Sequence, residues 1–227
     1  MLRYTNYDHL DMNEELNKIE NSKKAVLALE PRNKKCLFIL GMLFVQGVPI
    51  KLLNEQDLNF EGAKSFPKMA HVWSTIEDYK EDGFTLEKIE NHPINKKIFL
   101  ICPVRNATEE QRKWIEDFVE EKQENGYIVH APHLHTNQND PIGGGYSICK
   151  QNAKAVASSE EIDVYYDQTS TGSVFDLGVA YALHKPLRIL NPEEILFEEE
   201  DQIDQIVQNW PYNEIAKQKI KQEQPKD

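Results

Sequence analysis

The stretch IDVYYDQTSTGSVFDLGVAYALHKPLRIL, residues 162–190, decides how this chain folds. Its opening, IDVYY (162–166), is a short apolar run rich in β-formers and reads as a buried strand. A polar turn containing Gly172 follows, then an apolar helical segment over about 174–184, then PLRIL (186–190), a second strand. Strand, helix and strand in that order require a crossover, which sets the two strands parallel.

The same alternation extends outward. KKIFLIC (96–102) reads as a strand, and Thr108 with Gln111 forms a capping box at the start of a helix. Trp114, Ile115, Phe118 and Val119 make one apolar face of that helix, which stops near Gly126. YIVHA (127–131) is a further strand, a helix spans about 147–159, and an acidic helix ends near Trp210. These elements predict an α/β domain over 95–211, a parallel sheet flanked by helices in a flavodoxin- or Rossmann-like arrangement. Between the second strand and the next helix lies PHLHTNQNDPIGGGY (132–146), longer than a plain connector needs to be.

The first half repeats this design. A shift of 137 residues carries Phe38 onto Phe175, Leu40 and Gly41 onto Leu177 and Gly178, Pro49 onto Pro186, Asn54 onto Asn191 and Trp73 onto Trp210, without a gap. AVLAL (25–29) falls on IDVYY and VPIKLLN (48–54) on KPLRILN (185–191). Residues 1–94 therefore read as a degenerate half-copy plus linker, lacking the material before its first helix. Residues 74–94 join the copies, and 212–227 read as a frayed polar tail. The copies differ at polar positions: Lys35 replaces Gly172, Cys36 replaces Ser173 and Ile39 replaces Asp176. The first copy is expected to be catalytically empty and kept for packing, in imitation of the second subunit of a dimer.

Composition bounds the partners. With 40% hydrophobic and 28% charged residues the chain is an ordinary globular mixture rather than a disordered one. A net charge of −12 without a basic stripe argues against a nucleic-acid duplex as partner. No apolar run reaches the roughly 20 residues needed to span a bilayer, and the first residues lack the features of a secretory signal, so a cytoplasmic location is expected. Cys36, Cys102 and Cys149 read as buried, reduced thiols. No metal or other cofactor is implied; the pair His133 and His135 lacks a well-spaced third ligand. Whether the chain forms a homo-oligomer stays open.

The strongest local signal for chemistry is Asp167 to Gly178. It leaves the carboxyl end of a strand and enters a helix, the place where α/β sheets bind ligands. Gly172 permits a tight backbone path, Ser170 and Ser173 offer hydroxyls, and the first helical amides favour an anion. A structural reading stands beside this one: Ser173 as a helix N-cap with Asp176 as its N3 partner.

The run STGSVFDLGVAYALHKP (170–186) resembles the nucleoside 2-deoxyribosyltransferase superfamily, which includes 2′-deoxynucleoside 5′-phosphate N-hydrolases and carries an S-x-G-x-x-x-E-x-G-x-A run at this turn. ICKQNAKAV (148–156) is similar to the helix that bears the family's catalytic aspartate, and FLICPVRNA (99–107) resembles its opening strand. The resemblance covers about 95–195. It implies that Asp176 is the nucleophile, where the family has glutamate, and that Asn152 stands at the aspartate position. It also implies that Ser170 contacts the 5′ group, and that Arg105 reaches a phosphate.

Asp167 is a candidate second carboxylate, and Gly172 and Ser173 complete the ligand cradle. The amides of Asn137, Gln138 and Asn139, with Asp140 beside them, suit the edge of a nucleobase, since an amide both donates and accepts. Gly143 to Gly145 read as a hinge, and of Tyr165 and Tyr166 one is expected to line the pocket while the other packs in the core.

The expected activity is therefore N-glycosyl transfer or hydrolysis on a small nucleoside or nucleotide, through a carboxylate nucleophile. The alternative is a non-catalytic nucleotide-binding or sensing module. Two residues favour it: aspartate is shorter than glutamate by about 1.5 Å, and Asn152 cannot exchange a proton.

Overall fold

The computed structural model describes residues 1–8, 10–61, 64–75, 87–104, 107–195 and 201–213. It has an α/β fold with two parallel sheets. The second half contributes β4 (Ile94–Ile101), α4 (Glu109–Glu124), β5 (Ile128–His130), the single turn α5 (Pro132–His135), α6 (Tyr146–Ser158), β6 (Ser159–Val164), α7 (Thr171–Ala182), β7 (Leu187–Ile189) and α8 (Gln202–Gln208). Its four strands lie in the order β5-β4-β6-β7, every neighbouring pair parallel. Strand alternation divides β4 between two cores. Phe99 and Ile101 join the large core, whereas Leu100 and Cys102 face Ile115 and Val119 of α4. The Thr108–Gln111 capping box starts α4, each side chain accepting from the other residue's backbone N–H. Of that helix's predicted apolar face, Ile115 and Val119 are buried, while Trp114 stays 37% exposed and stacks along Phe118.

The first half forms β1 (Leu2–Tyr4), α1 (Met12–Glu20), β2 (Ala25–Leu27), α2 (Lys34–Val45), β3 (Ile50–Leu52) and α3 (Phe66–Thr75), with a three-stranded parallel sheet β1-β2-β3. The 137-residue offset carries α2 onto α7 and β3 onto β7 with identical bounds, and a 3₁₀ turn at Glu55–Asp57 onto one at Pro192–Glu194. Hydrogen bonds follow the same offset. Asn54 accepts from Leu29 N at 2.8 Å and donates to Leu29 O at 3.0 Å. Asn191 makes the same pair of bonds with Tyr166, at 2.8 and 3.2 Å.

The expectation that the first half lacks everything before its first helix is corrected. β1 precedes α1 and pairs with β2 as β4 pairs with β6. What has no counterpart is α4 with β5. The outer face of the small sheet accordingly carries Arg3, Val26 and Lys51 in cross-strand register, and both charged residues are exposed.

The halves meet through α2 and α7, which are mostly apolar and buried along nearly their whole length. Glycine makes the contact possible. A Cβ on Gly41 would lie 2.2 Å from Phe175 O, and one on Gly178 would lie 2.0 Å from Phe38 O. The carboxy-terminal expectation also needs correcting, because Tyr212 and Asn213 belong to the fold. Tyr212 packs against Tyr181 and His184, and Asn213 Oδ1 accepts from Leu187 N at 2.8 Å. Residues 214–227, and 76–86 of the linker, lie outside the described residues.

The asparagine clamp leads to a prediction. Asn191 is 6% exposed and satisfies two backbone groups at the mouth of β6. Asn191→Ala removes both of these buried hydrogen bonds, so urea denaturation should show a loss of about 1–3 kcal/mol. An unchanged midpoint would mean that the clamp contributes nothing to stability.

Candidate functional site

A cleft of about 410 Å³ opens beyond the carboxyl ends of β4 and β6, within the size range of small-molecule sites. Its polar wall is the turn from Asp167 into α7, with Asn152 of α6 beside it. Its apolar wall includes Pro103, Val104, Ile148, Phe66 and Met69.

Asp176 is the chemical centre of the polar wall. It lies on the second turn of α7, 7% exposed, and lines the cleft. Burial pushes its carboxyl from the ordinary 3.8 up to about 7, against the opposing pull of a hydrogen bond from Asn152. Asn152 Nδ2 donates to Asp176 Oδ2 at 3.4 Å, and Asn152 Oδ1 accepts from the Thr136 hydroxyl at 2.7 Å. Thr136 Oγ1 in turn lies 2.9 Å from His130 Nε2. Since Thr136 gives its proton to Asn152, His130 must be the donor in that contact, which fixes the Nε2–H tautomer. Burial lowers the His130 pKa to about 4, so the ring is neutral. Every donor in this relay points toward the carboxyl group. Cys102 also lines the cleft, and burial, with a smaller contribution from Asp176, raises its thiol to about 12, so it stays protonated.

The remaining predicted residues fall into groups. Ser170, Gly172, Ser173 and Asp167 all line the cleft with Asp176 and Asn152. The capping alternative is corrected: Ser170, not Ser173, is the N-cap of α7, its Oγ accepting from Ser173 N at 3.4 Å and from Ser173 Oγ at 2.9 Å. That places Asp176 one full turn beyond any capping role. Gly172 is not required for a tight path, because its backbone is helical; a Cβ there would meet nothing within 4 Å, and what it leaves is room. Asp167 makes its described hydrogen bonds to Thr169 and not to Asp176. Its Oδ1 accepts from Thr169 N at 2.8 Å and from Thr169 Oγ1 at 2.7 Å, which shapes the turn.

Asn137, Asn139 and Asp140 do not line the cleft, and Asn137 and Asp140 hold the loop instead. Asn137 Oδ1 accepts from Asn139 N at 2.9 Å, and Asp140 caps α6 by accepting from Gly145 N at 2.5 Å and Ser147 N at 3.1 Å. Gln138 of the same loop does reach the cleft. Gly143, Gly144 and Gly145 all have positive φ, 94°, 68° and 94°, so the run builds one left-handed path that other residues rarely adopt.

Neither tyrosine lines the cleft. Tyr165 donates to Glu194 at 2.6 Å beside Trp114, and Tyr166 is buried and donates to Asp204 at 2.6 Å. Cys36 and Cys102 are buried free thiols, but Cys149 is only partly buried. Arg105 lies outside the described residues. Among the described residues no three His, Cys, Asp or Glu side chains converge on a metal position. No described helix is long and apolar enough to cross a membrane.

Sequence reasoning missed Thr136 and His130, whose place in the relay depends on a fold-back of the loop, and Phe66 and Met69, which come from the other half. The corresponding turn of the first half is bridged by charge. Lys34, at the position of Thr171, pairs with Asp201 at 2.8 Å and Asp204 at 3.0 Å, and Lys35 Nζ donates to Asp8 O at 2.7 Å. Ile39 stands where Asp176 would be, 2% exposed.

The chain was compared with family models, curated proteins and solved structures, and none of them matches it.

Proposed function

We propose that the cleft binds a nucleoside or nucleotide and cleaves or exchanges its N-glycosyl bond, with Asp176 as the nucleophile. One observation carries this reading: a single buried carboxyl group lies at the strand-to-helix turn of an open cleft, with one oxygen held by Asn152. A carboxyl group with a pKa near 7 is ionised in useful amount at neutral pH yet poorly solvated, the condition for an effective nucleophile. The free Oδ1 forms an ester bond to the anomeric carbon as the carbon–nitrogen bond breaks, and the base leaves with the electron pair and takes a proton from solvent. Water or a second base then attacks the same carbon and gives its proton to solvent, and the ester's carbon–oxygen bond breaks to release the carboxylate. The first turn of α7, with Thr171 and Gly172 exposed and their amides lacking intrahelical acceptors, suits a negatively charged substituent on the sugar. On this reading the first half is a copy that has lost its own chemistry, its turn closed by Lys34 and Ile39.

A second reading, a binding or sensing module, is favoured by the partner of Asp176: Asn152 is an amide, which cannot exchange a proton as a second carboxyl group would. The experiment is chromatographic, with nucleosides and 5′-monophosphates incubated with the protein, with and without a second free base. Released or exchanged base that is lost in Asp176→Ala supports the enzyme. Turnover that survives in Asp176→Ala removes the nucleophile assignment. No turnover, with a nucleotide still raising the melting temperature, supports the binding module.

A further inference from the structure

The two halves place the same helix in different settings. Under the 137-residue offset α3 of the first half corresponds to the region of α8, so that Phe66 falls on Ile203 and Met69 on Ile206. On the α8 side the meeting of the halves is sealed. Ile203 is fully buried, Gln202 donates to Leu10 O, and Lys34 joins Asp201 and Asp204 across the gap. On the α3 side the meeting is open, and Phe66 lines the cleft there.

Phe66 and Phe175 are the aromatic residues that line the cleft, and Phe66 is the more exposed of the two. Its ring is only partly buried and rests on Phe175, centroids 5.3 Å apart. Phe175 also lines the cleft but is 1% exposed, so of the two rings Phe66 offers the larger open surface. The segment is anchored to the second half. Lys64 bridges to Gly144 in a parallel pairing, and its Nζ donates to Gln138 O at 2.9 Å. Gly144 approaches so closely that a Cβ would sit 2.7 Å from Lys68 O. A large aromatic left half-open at a fixed position opposite a polar wall is a platform for a flat ring.

Resting on the nucleoside reading above, we propose that Phe66 of the first half is the stacking platform for the base of the ligand, so that the degenerate half supplies the wall that recognises the base. The ligand then spans the cleft, with its sugar at Asp176 and its base against Phe66. The first half keeps a direct part in the site although its own turn is closed.

The test measures dissociation constants of the full-length protein for free purine and pyrimidine bases, nucleosides and 5′-monophosphates. The proteins compared are wild type, Phe66→Tyr, Phe66→Leu and Phe66→Ala, each checked for an unchanged melting transition. Phe66→Leu and Phe66→Ala should weaken binding of base-bearing ligands about tenfold or more, the scale of one lost base–aromatic stack. Phe66→Tyr should stay within about threefold of wild type. Phe66→Leu retains apolar packing on Phe175 but offers no ring, so wild-type affinity in that variant overturns the proposal. A wild-type protein that binds none of these ligands overturns both the platform and the reading beneath it. Wild-type protein that binds free bases through Phe66 but cleaves no nucleoside keeps the platform and removes only the glycosyl chemistry.

Discussion

Gly178→Ala should be the most destabilising glycine-to-alanine substitution among the described residues, with Gly41→Ala close behind. The new Cβ on residue 178 would lie 2.0 Å from Phe38 O and 2.8 Å from Phe38 C, both backbone atoms of a buried helix. At position 41 the corresponding distances are 2.2 Å to Phe175 O and 3.0 Å to Val179 N. A carbonyl oxygen in a helix cannot swing aside as a side chain can, so α2 and α7 must move apart along the seam that joins both halves. Alanine gains about 1 kcal/mol in helix propensity over glycine, but overpacking and lost contacts should cost about 3–5 kcal/mol. Gly172→Ala is the control. It lies in the first turn of the same α7 with nothing near its Cβ, so stability should be unchanged or slightly raised. Urea denaturation of the three variants decides the matter. A Gly178→Ala midpoint at or above wild type would show that the two helices do not meet as described.

Asp176→Asn should give the second large effect, with activity and stability moving in opposite directions. If Asp176 is the nucleophile, the amide should lower turnover by about 10⁴-fold or more. Wild-type turnover should rise tenfold per pH unit below about 7 and level off above it, as the carboxyl group ionises.

Stability should follow the same group. Burial, partly offset by the Asn152 hydrogen bond, raises the carboxyl from 3.8 to about 7, so the folded protein holds this proton more tightly than the unfolded chain. The contribution is neutral below about 3.8, becomes progressively unfavourable between 3.8 and 7, and is constant above. The full shift corresponds to about 4 kcal/mol as an upper bound. Asp176→Asn should therefore be more stable than wild type at pH 8, with the advantage fading as pH falls toward 4. Equal stability at pH 8 would show that the carboxyl is not held in a desolvating site. Loss of activity together with a gain in stability is the usual mark of a strained functional group.

Much of the fold was legible because it rests on short-range patterns. The Thr108–Gln111 box lies within four residues and appears as expected. β7 was expected at 186–190 and spans Leu187–Ile189. α7 was expected to start near 174 and starts at Thr171, because Ser170 rather than Ser173 caps it. The difference matters, since either serine can accept from an amide three residues on, and only the path of the preceding turn chooses between them. β1 went unnoticed because three residues with one partly exposed leucine carry no period. The site was legible at its polar turn and helix, where Asp176, Asn152, Ser170 and Ser173 do meet. It was not legible at the loop, where none of Asn137, Asn139 and Asp140 lines the cleft, and Asn137 and Asp140 instead accept from backbone N–H groups of their own segment. Polar side chains in a glycine-rich loop serve either purpose with the same composition.

The amino-acid sequence by itself determined the alternation of strands and helices, the parallel direction of the sheets and the 137-residue correspondence between the halves. These depend on periodicity, turn chemistry and the handedness of short connections, all of which act between near neighbours. Only the tertiary structure decided which of the two corresponding turns is open. Lys34 closes the first by reaching Asp201 and Asp204, far away in sequence, while the Lys64–Gly144 bridge fixes Phe66 against the second. It also decided the character of Asp176, because a carboxyl's affinity for its proton is set by the water it loses and the donors it gains, and both come from residues brought to it by folding.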